Sequence, residues 1–352
     1  MARRLNDSDA ADRYSRQTLF AHIGRDGQQR LRDARVLLVG CGALGTVLAN
    51  TLVRAGVGVL TLVDRDYVEF NNLQRQVLFD EADAAQGAPK AIAAAERLSK
   101  INSDVTVVPH VADAHSGNIE SLAEDTQLIL DGTDNFETRY LINDVAVKHD
   151  IPWVYGACVG AEGMVMPIVP GRTPCLRCVF PDPPPPGSGP TCDTAGVLGP
   201  IVQIVASLQA MAALKVLIGQ ADGLEGKLIQ IDAWAGQFHE FDMQGAFDAG
   251  QCPCCKGRRY DFLSGGRTSR SVALCGRDAV QIRPPSDSKL DLASVADRIR
   301  PTAKSAPSVN RYLLRFEVDH YQITLFADGR AIIKGATDVE EGRSVYAKYV
   351  GA

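Results

Sequence analysis

A short apolar run at residues 35–39 gives way to Gly40-Cys41-Gly42-Ala43-Leu44-Gly45, and small and apolar residues then recur at helical spacing over 46–55. The pattern predicts a strand, a glycine turn and a helix. A second apolar run, 58–63, closes on Asp64, and two such strands joined by a helix make a βαβ unit with a parallel pair. The alternation continues with an alanine-rich helix over 87–101, a strand over 106–109 and another over 127–130, which runs into Asp131-Gly132-Thr133-Asp134-Asn135.

Beyond residue 151 the pattern turns β-rich, at 153–158 and 163–169, and then crosses a proline-dense stretch at 181–190 that does not suit a core. A long helix is predicted over 199–218. Gly265-Gly266 and the polar residues after them read as a linker, so residues 1–265 and 266–352 are expected to form separate domains. In the tail, apolar residues alternate over 271–274 and 311–316, Asp328-Gly329 sits as a hairpin turn between 323–326 and 331–334, and 339–349 is helix-like. The expected fold class is α/β: a Rossmann-type, mostly parallel sheet with a β-rich later part, plus a small α+β C-terminal domain of no evident purpose. No internal repeat of the solenoid kind is present.

The 352 residues are 45% hydrophobic and 22% charged, ordinary for a folded globular chain. With Lys+Arg 37 against Asp+Glu 42 the formal charge is -5, which provides no global basic field for nucleic acid. No uninterrupted apolar run approaches the roughly 20 residues that cross a bilayer, and the polar start lacks the apolar stretch of a signal peptide. No membrane is expected, and the cytoplasm is the expected location.

The glycine turn between strand and helix lets backbone N–H groups at the positive helix end approach phosphates. Asp64 ends the next strand, where a carboxylate can accept hydrogen bonds from both ribose hydroxyls. The two together specify a nucleotide, and on their own they would serve NAD in an oxidoreductase as well as ATP.

Three later segments separate ATP from NAD. Asp66-Tyr67-Val68-Glu69-Phe70-Asn71-Asn72-Leu73-Gln74-Arg75-Gln76, Gly87-Ala88-Pro89-Lys90 and Gly132-Thr133-Asp134-Asn135 resemble the MoeB/ThiF/HesA family of adenylating enzymes, relatives of the ubiquitin-activating enzymes. The resemblance starts at Arg13-Tyr14-Ser15-Arg16-Gln17, includes both C-x-x-C pairs, Ala195-Gly196-Val197 and Ser207-Leu208-Gln209-Ala210, and ends near residue 258. One departure is Ala43, where the family often has glycine.

The resemblance implies an ATP site built from Gly40, Gly42, Ala43, Gly45, Asp64, Asn71, Asn72, Leu73, Gln74, Arg75, Lys90, Asp134 and Asn135. Arg75 and Lys90 match phosphate-binding cations, Asn72 a polar residue near the phosphates, and Asp134 a carboxylate that holds Mg²⁺. Arg16 matches an arginine that reaches into the partner subunit's nucleotide site, so a homodimer is expected. Such cations fit the chemistry, because a carboxylate must approach the α-phosphorus of ATP against like charge. The implied substrate is a small ubiquitin-like sulfur-carrier protein ending in Gly-Gly, whose terminal carboxylate becomes an acyl-adenylate, with a sulfurtransferase donor as a further partner. The alternatives are a carrier-binding scaffold without catalysis and an NAD-dependent oxidoreductase; Arg75, Lys90 and Asp134 speak against both.

Cys175-Leu176-Arg177-Cys178 and Cys252-Pro253-Cys254-Cys255 are two C-x-x-C pairs, enough for a closed tetrahedral Zn²⁺ site at Cys175, Cys178, Cys252 and Cys255 with a structural task. Redox use of either pair is the alternative, and spacing alone leaves Cys254 open as a ligand in place of its neighbour. Cys192 ends the proline-dense stretch just ahead of the long helix. In the family the matching cysteine lies on a loop crossing the active site and in some members bonds covalently to the activated carrier or to sulfur; the other reading is an incidental thiol. Cys41 and Cys158 read as packing residues. Cys275 reads as buried or idle, with a rhodanese-like sulfur loop as the lesser alternative.

Overall fold

In the computed structural model, which describes residues 12–184, 192–224, 226–265, 271–274, 279–282 and 290–351, the chain divides into two units. The first comprises Met1–Ser188 and Gly196–Thr268, and the second Gly189–Ala195 and Ser269–Ala352.

In chain order the first unit has α1 (Ser15–Thr18), α2 (Gly24–Asp33), β1 (Arg35–Val39), α3 (Ala43–Ala55) and β2 (Val59–Asp64). A 3-10 turn at Phe70–Asn72 leads to α4 (Glu81–Gln86), α5 (Lys90–Ile101), β3 (Thr106–Val111), α6 (Ile119–Leu122), β4 (Leu128–Asp131) and α7 (Phe136–Lys148). Then come β5 (Trp153–Val159), β6 (Glu162–Ile168), α8 (Leu176–Val179), α9 (Cys192–Ala195), α10 (Gly199–Leu217), β7 (Lys227–Asp232), β8 (Gln237–Asp242) and α11 (Gln244–Asp248), with α9 grouped in the second unit.

The sheet order is β3-β2-β1-β4-β5-β6-β7-β8. Strands β3 to β5 are parallel and β5 to β8 antiparallel, with Leu37 opposite both Thr61 and Ile129. The order reverses at β1, which has β2 on one side and β4 on the other, so a crevice opens at the carboxyl ends of β1 and β4. Helices cover both faces, which is why β1 and β4 are nearly continuous apolar runs. On one face α7 packs with Leu37, Ile129, Trp153 and Met166, and on the other α10 lies across β4, β5 and β6 and against α3. Among the described residues α10 alone has the length and apolarity of a membrane span, with mean hydropathy 1.6. Here it buries Ile201, Val202, Val205 and Ala206 against the sheet.

Several elements differ from the sequence expectation. The helix expected over 87–101 begins at Lys90, because Gly87 takes φ 58 and ends the preceding helix α4. Strand β3 continues past Pro109 to Val111. Helix α7 leaves no amphipathic period in the sequence, because residues 139 to 147 are buried all round. Strand β8 is exposed along its whole length and so shows no alternation.

The second unit also holds β9 (Ser271–Leu274), β10 (Ala279–Ile282), α12 (Leu292–Ile299), β11 (Ser308–Val309), β12 (Leu313–Val318), β13 (Tyr321–Phe326), β14 (Ala331–Lys334) and α13 (Val339–Tyr349). Its six strands run β11-β12-β13-β14-β10-β9, all antiparallel. Val295 and Ile299 of α12 and Val345 of α13 pack with Leu314, Phe316, Ile323 and Ile333. Gly329, at φ 85, makes the expected turn between β13 and β14. Strand β12 starts two residues later than expected because the Asn310 side chain accepts from the N–H groups of Tyr312 and Leu313.

Glu341 ties α13 to this sheet. It accepts from the Tyr321 hydroxyl at 2.6 Å and from the Thr337 N–H and hydroxyl at 2.6 and 2.7 Å, which hold its carboxyl down at about 2 against an ordinary 4.5. A depressed carboxyl contributes its stability above the unfolded value and loses it as pH falls through the folded one. The thermal midpoint of the second unit should therefore fall between about pH 5 and pH 2, and Glu341→Gln should flatten that part of the profile. A Glu341→Gln profile as steep as the wild type would contradict the assignment.

Candidate functional site

At the crevice three glycines bring backbones together. A Cβ on Gly40, which has φ 90, would lie 2.5 Å from the Gly132 carbonyl oxygen; one on Gly45 would lie 2.0 Å from the Gly40 oxygen; one on Gly132 would lie 2.4 Å from that same oxygen. The end of β1, the first turn of α3 and the loop after β4 thus touch as only glycines can. Helix α3 has Gly42 as its N-cap and no side-chain cap, so its first N–H groups are left at the crevice, a geometry that suits an anion.

Asp64, at the end of β2, braces this turn. Its Oδ2 accepts from the Cys41 N–H and its Oδ1 from the Asp66 N–H, both at 2.6 Å. Burial raises its carboxyl and the nearby Lys90 ammonium opposes that rise. Burial, with Asp64 beside it, pushes the Cys41 thiol far up, so that sulfur is a packing atom.

Lys90 is 4% exposed. Its ammonium lies 3.3 Å from Asp66, whose carbonyl also accepts the Lys90 N–H. Arg65 pairs with Asp113 at 3.3 Å and feels Asp66, Asp134 and Asp64 as well, which raises its own affinity for the proton. Arg75 is half-buried and donates to the Asn71 carbonyl at 2.8 Å, with no carboxylate partner among the described residues. Asp134 is exposed just beyond Gly132 and Thr133, and Asn135 caps α7 by accepting the Thr138 N–H at 2.9 Å.

Three more of the expected residues are Asn72, Leu73 and Gln74. Asn72 is buried, and its side chain is spent on the turn: Oδ1 accepts the Glu69 N–H at 3.0 Å and Nδ2 donates to Asn71 at 2.7 Å. These bonds shape the segment, and Nδ2 carries a second N–H beyond the one given to Asn71. Gln74 is exposed and reaches the Val197 carbonyl at 3.4 Å, while Leu73 is half-buried. Gln76 is the residue that sequence reasoning passed over: 4% exposed, with a buried Oε1 that has no partner among the described residues, beside Gly42. Its place at the end of the 66–76 motif was the available signal.

Arg16 is exposed on α1, away from this crevice. Tyr14 accepts from Asn102, and Gln17 donates to Gln28 and to the Ala55 carbonyl, which fixes α1 at the carboxyl end of α3. A helix of 13 residues is about 20 Å long, so α1 sits that far from the glycine turn. Cys192 opens the four-residue helix α9 of the second unit and is half-buried; so short a helix has little dipole to activate a thiol. Cys275 lies outside the described residues.

The Sγ atoms of Cys175, Cys178, Cys252 and Cys255 all lie within 4.8 Å of one another, with Cys175 to Cys252 at 3.5 Å and Cys178 to Cys255 at 3.4 Å. A tetrahedron with Zn–S bonds of about 2.3 Å has edges of about 3.8 Å, so the four sulfurs fit that ion. Cys254 is buried against α7, donating to Asp144 at 3.4 Å and accepting from Asn143 at 3.3 Å. Asn143 also accepts the Leu176 N–H, and Asp144 accepts those of Phe262 and Leu263, so α7 holds both cysteine pairs.

Known proteins share this layout. A family model described as the ThiF family matches residues 14–254, from the start of α1 into the second cysteine pair. The chain belongs to the ThiF family. It is 45% identical over 339 residues to the sulfur carrier protein ThiS adenylyltransferase of Bacillus subtilis (strain 168), covering 96% of this chain and 99% of that relative. It is 40% identical over 249 residues to the SAMP-activating enzyme E1 of Haloferax volcanii, covering 71% of this chain and 90% of the relative. Among solved structures, E. coli MccB with ATP superposes with a TM-score of 0.59 at 24% identity, over 70% of this chain and 74% of that one. That likeness bears on the fold alone.

Two outcomes test the site. Gly45→Ala should destabilise the protein by about 1–3 kcal/mol, read by denaturant unfolding, because its methyl has backbone on the far side; a neutral effect would refute the three-glycine contact. Cys255→Ser or Cys175→Ser should strip bound zinc from the purified protein while Cys254→Ser retains it, as measured by elemental analysis. Loss of zinc from Cys254→Ser alone would reverse the ligand assignment.

Proposed function

We propose that the protein adenylates the C-terminal Gly-Gly carboxylate of a small ubiquitin-like sulfur-carrier protein. The observation that carries this reading is the convergence on one crevice of the uncapped α3 N-terminus, the Asp64 carboxylate, the buried Lys90 and the exposed Asp134. The relatives named for sulfur-carrier adenylation support the same reaction class.

On this reading ATP lies with its ribose on Asp64 and its phosphates over Gly42 to Gly45. Arg75 and Lys90 neutralise the phosphates, Lys90 turning from Asp66 toward them, and Gln76 offers its amide at the turn. Asp134 fits Mg²⁺, since its carboxylate is exposed beside the turn and pairs with no cation among the described residues; the ion would screen the phosphate oxygens. A carrier carboxylate oxygen then bonds to the α-phosphorus as the bond to the bridging oxygen of pyrophosphate breaks, with fixed positive charge favouring the transition state.

The proposal extends to four finer points. Cys192 captures the activated acyl group as a thioester, releasing AMP. Zn²⁺ at the four cysteines is structural. The working form is a cytoplasmic homodimer in which Arg16 serves the other subunit's site, as its remoteness from its own suggests. The remaining tail, 266–352, is taken as a separate domain.

Carrier-dependent ATP–pyrophosphate exchange tests the first step. Exchange should be present in the wild type, fall by at least about 10²-fold in Asp134→Ala, and persist in Cys192→Ala, which should lose only later transfer. Absence of exchange with every Gly-Gly carrier tried would defeat the reading, and unchanged transfer in Cys192→Ala would remove the thiol from it.

A further inference from the structure

Strands β4 and β5 pair at Ile129 with Trp153 and at Leu130 with Val154, and then part. Parting strands leave backbone groups that must find other partners. Side chains supply them: Gln209, from α10, donates to the carbonyls of Asp131 at 2.9 Å and Val154 at 3.2 Å, and Arg139, from α7, donates to those of Thr133 at 2.9 Å and Gly156 at 3.2 Å. Asp131 is wholly buried and accepts from Arg139 Nε at 3.1 Å, from the Thr133 N–H at 2.9 Å and hydroxyl at 2.7 Å, and from the Gly156 N–H at 3.4 Å. The guanidinium is flanked by the rings of Phe136 and Tyr155, at 5.5 and 5.4 Å.

One residue therefore has its N–H, hydroxyl and carbonyl all held by a single buried ion pair, and that residue, Thr133, immediately precedes Asp134. A buried ion pair is a weak source of stability, because desolvation takes back much of its Coulomb energy. What this one does provide is direction. The planar guanidinium bonds three oxygens on two strands and a loop, and the carboxylate closes the loop from the other side, so the backbone at 133 has no freedom to turn. On the opposite flank Gly132 is already fixed against Gly40 and Gly45.

We infer that Asp131 and Arg139 are positioning residues for Asp134, setting the loop so that a divalent cation on its carboxylate meets the phosphates at the glycine turn. This rests on the adenylation reading above, and it adds residues that neither touch the nucleotide nor hold the cation. The outer partners of a metal ligand commonly govern metal affinity by about 10–100-fold.

The test uses the full chain with two variants. Thr133→Val removes only the hydroxyl bond to Asp131 at nearly constant volume, and Arg139→Lys keeps the charge but loses the fork. Binding of ATP alone, binding of ATP with Mn²⁺ as the probe, and thermal unfolding are measured for each, with Asp134→Asn as reference. Both variants should fold and bind metal-free ATP within about twofold of wild type, yet need at least about tenfold more Mn²⁺ for half-saturation of the ATP complex. Arg139→Lys should add nothing further to the metal deficit in an Asp134→Asn background.

A purely structural pair would instead lower the unfolding midpoint and weaken ATP binding equally with and without the ion, and that result overturns the inference. So does an unchanged Mn²⁺ requirement in folded Thr133→Val, or failure of both variants to fold. If the wild type itself shows no metal-dependent ATP binding, the adenylation reading falls first and takes this inference with it; normal wild-type behaviour with unaffected variants sinks the positioning role alone.

Discussion

Three glycines meeting backbone to backbone are the constraint on which the first unit depends. Gly40, Gly45 and Gly132 come from a strand end, a helix start and a loop after another strand, and the spaces their side chains would fill are occupied by one another's main-chain atoms. Any larger residue would push α3 off β1 or the 132–134 loop off both. Because that contact lies where the strand order reverses, the same closeness that packs the sheet also exposes helix N–H groups at the crevice. On the adenylation reading, packing and phosphate affinity come from one geometry.

A second clamp works on the later half of the first unit. The cysteine pairs at 175–178 and 252–255 are far apart in the chain, and α7 fastens each through Asn143 and Asp144 before any metal is considered. The same helix carries Arg139 and is capped by Asn135, next to Asp134. Burial raises the Asp144 carboxyl, with the N–H groups of Phe262 and Leu263 pulling it back, which is the balance expected of a group used as a tie rather than as a reagent. Helix α7 is thus the mechanical link between the cysteine cluster and the loop that bears the candidate metal ligand.

What was legible in the sequence was what has a short-range signature. The apolar runs of β1 and β2, the glycine turn, Asp64 at its strand end and the Asp328-Gly329 hairpin each announce themselves within a few residues. Helix α7 did not, because a helix buried on all sides has no polar face to set its period, and Arg139, Asn143 and Asp144 then look like misplaced polar residues rather than partners for strands and cysteine pairs. Asn72 shows what a motif leaves out: its place there implied phosphate, and nothing in the spacing announced that its side chain also closes the local turn. Spacing marks which residues come to a site, but who bonds to whom depends on neighbours distant in sequence.

Arg16 shows how far geometry can carry a residue that sequence alone only suggests. Its helix is tied to Ala55 and Asn102, at the end of α3 remote from the crevice, and no rotamer spans the about 20 Å that separates them. On the adenylation reading, Arg75 and Lys90 are the chain's own cations proposed for the phosphates, with Arg65 close by and held by Asp113. On that reading Lys90, which balances Asp66, would trade one anion for another at little desolvation cost, whereas Arg75 has no carboxylate partner to give up among the described residues. On the dimer proposal, an exposed arginine held on a short, well-anchored helix is suited to add its charge to a second copy's crevice.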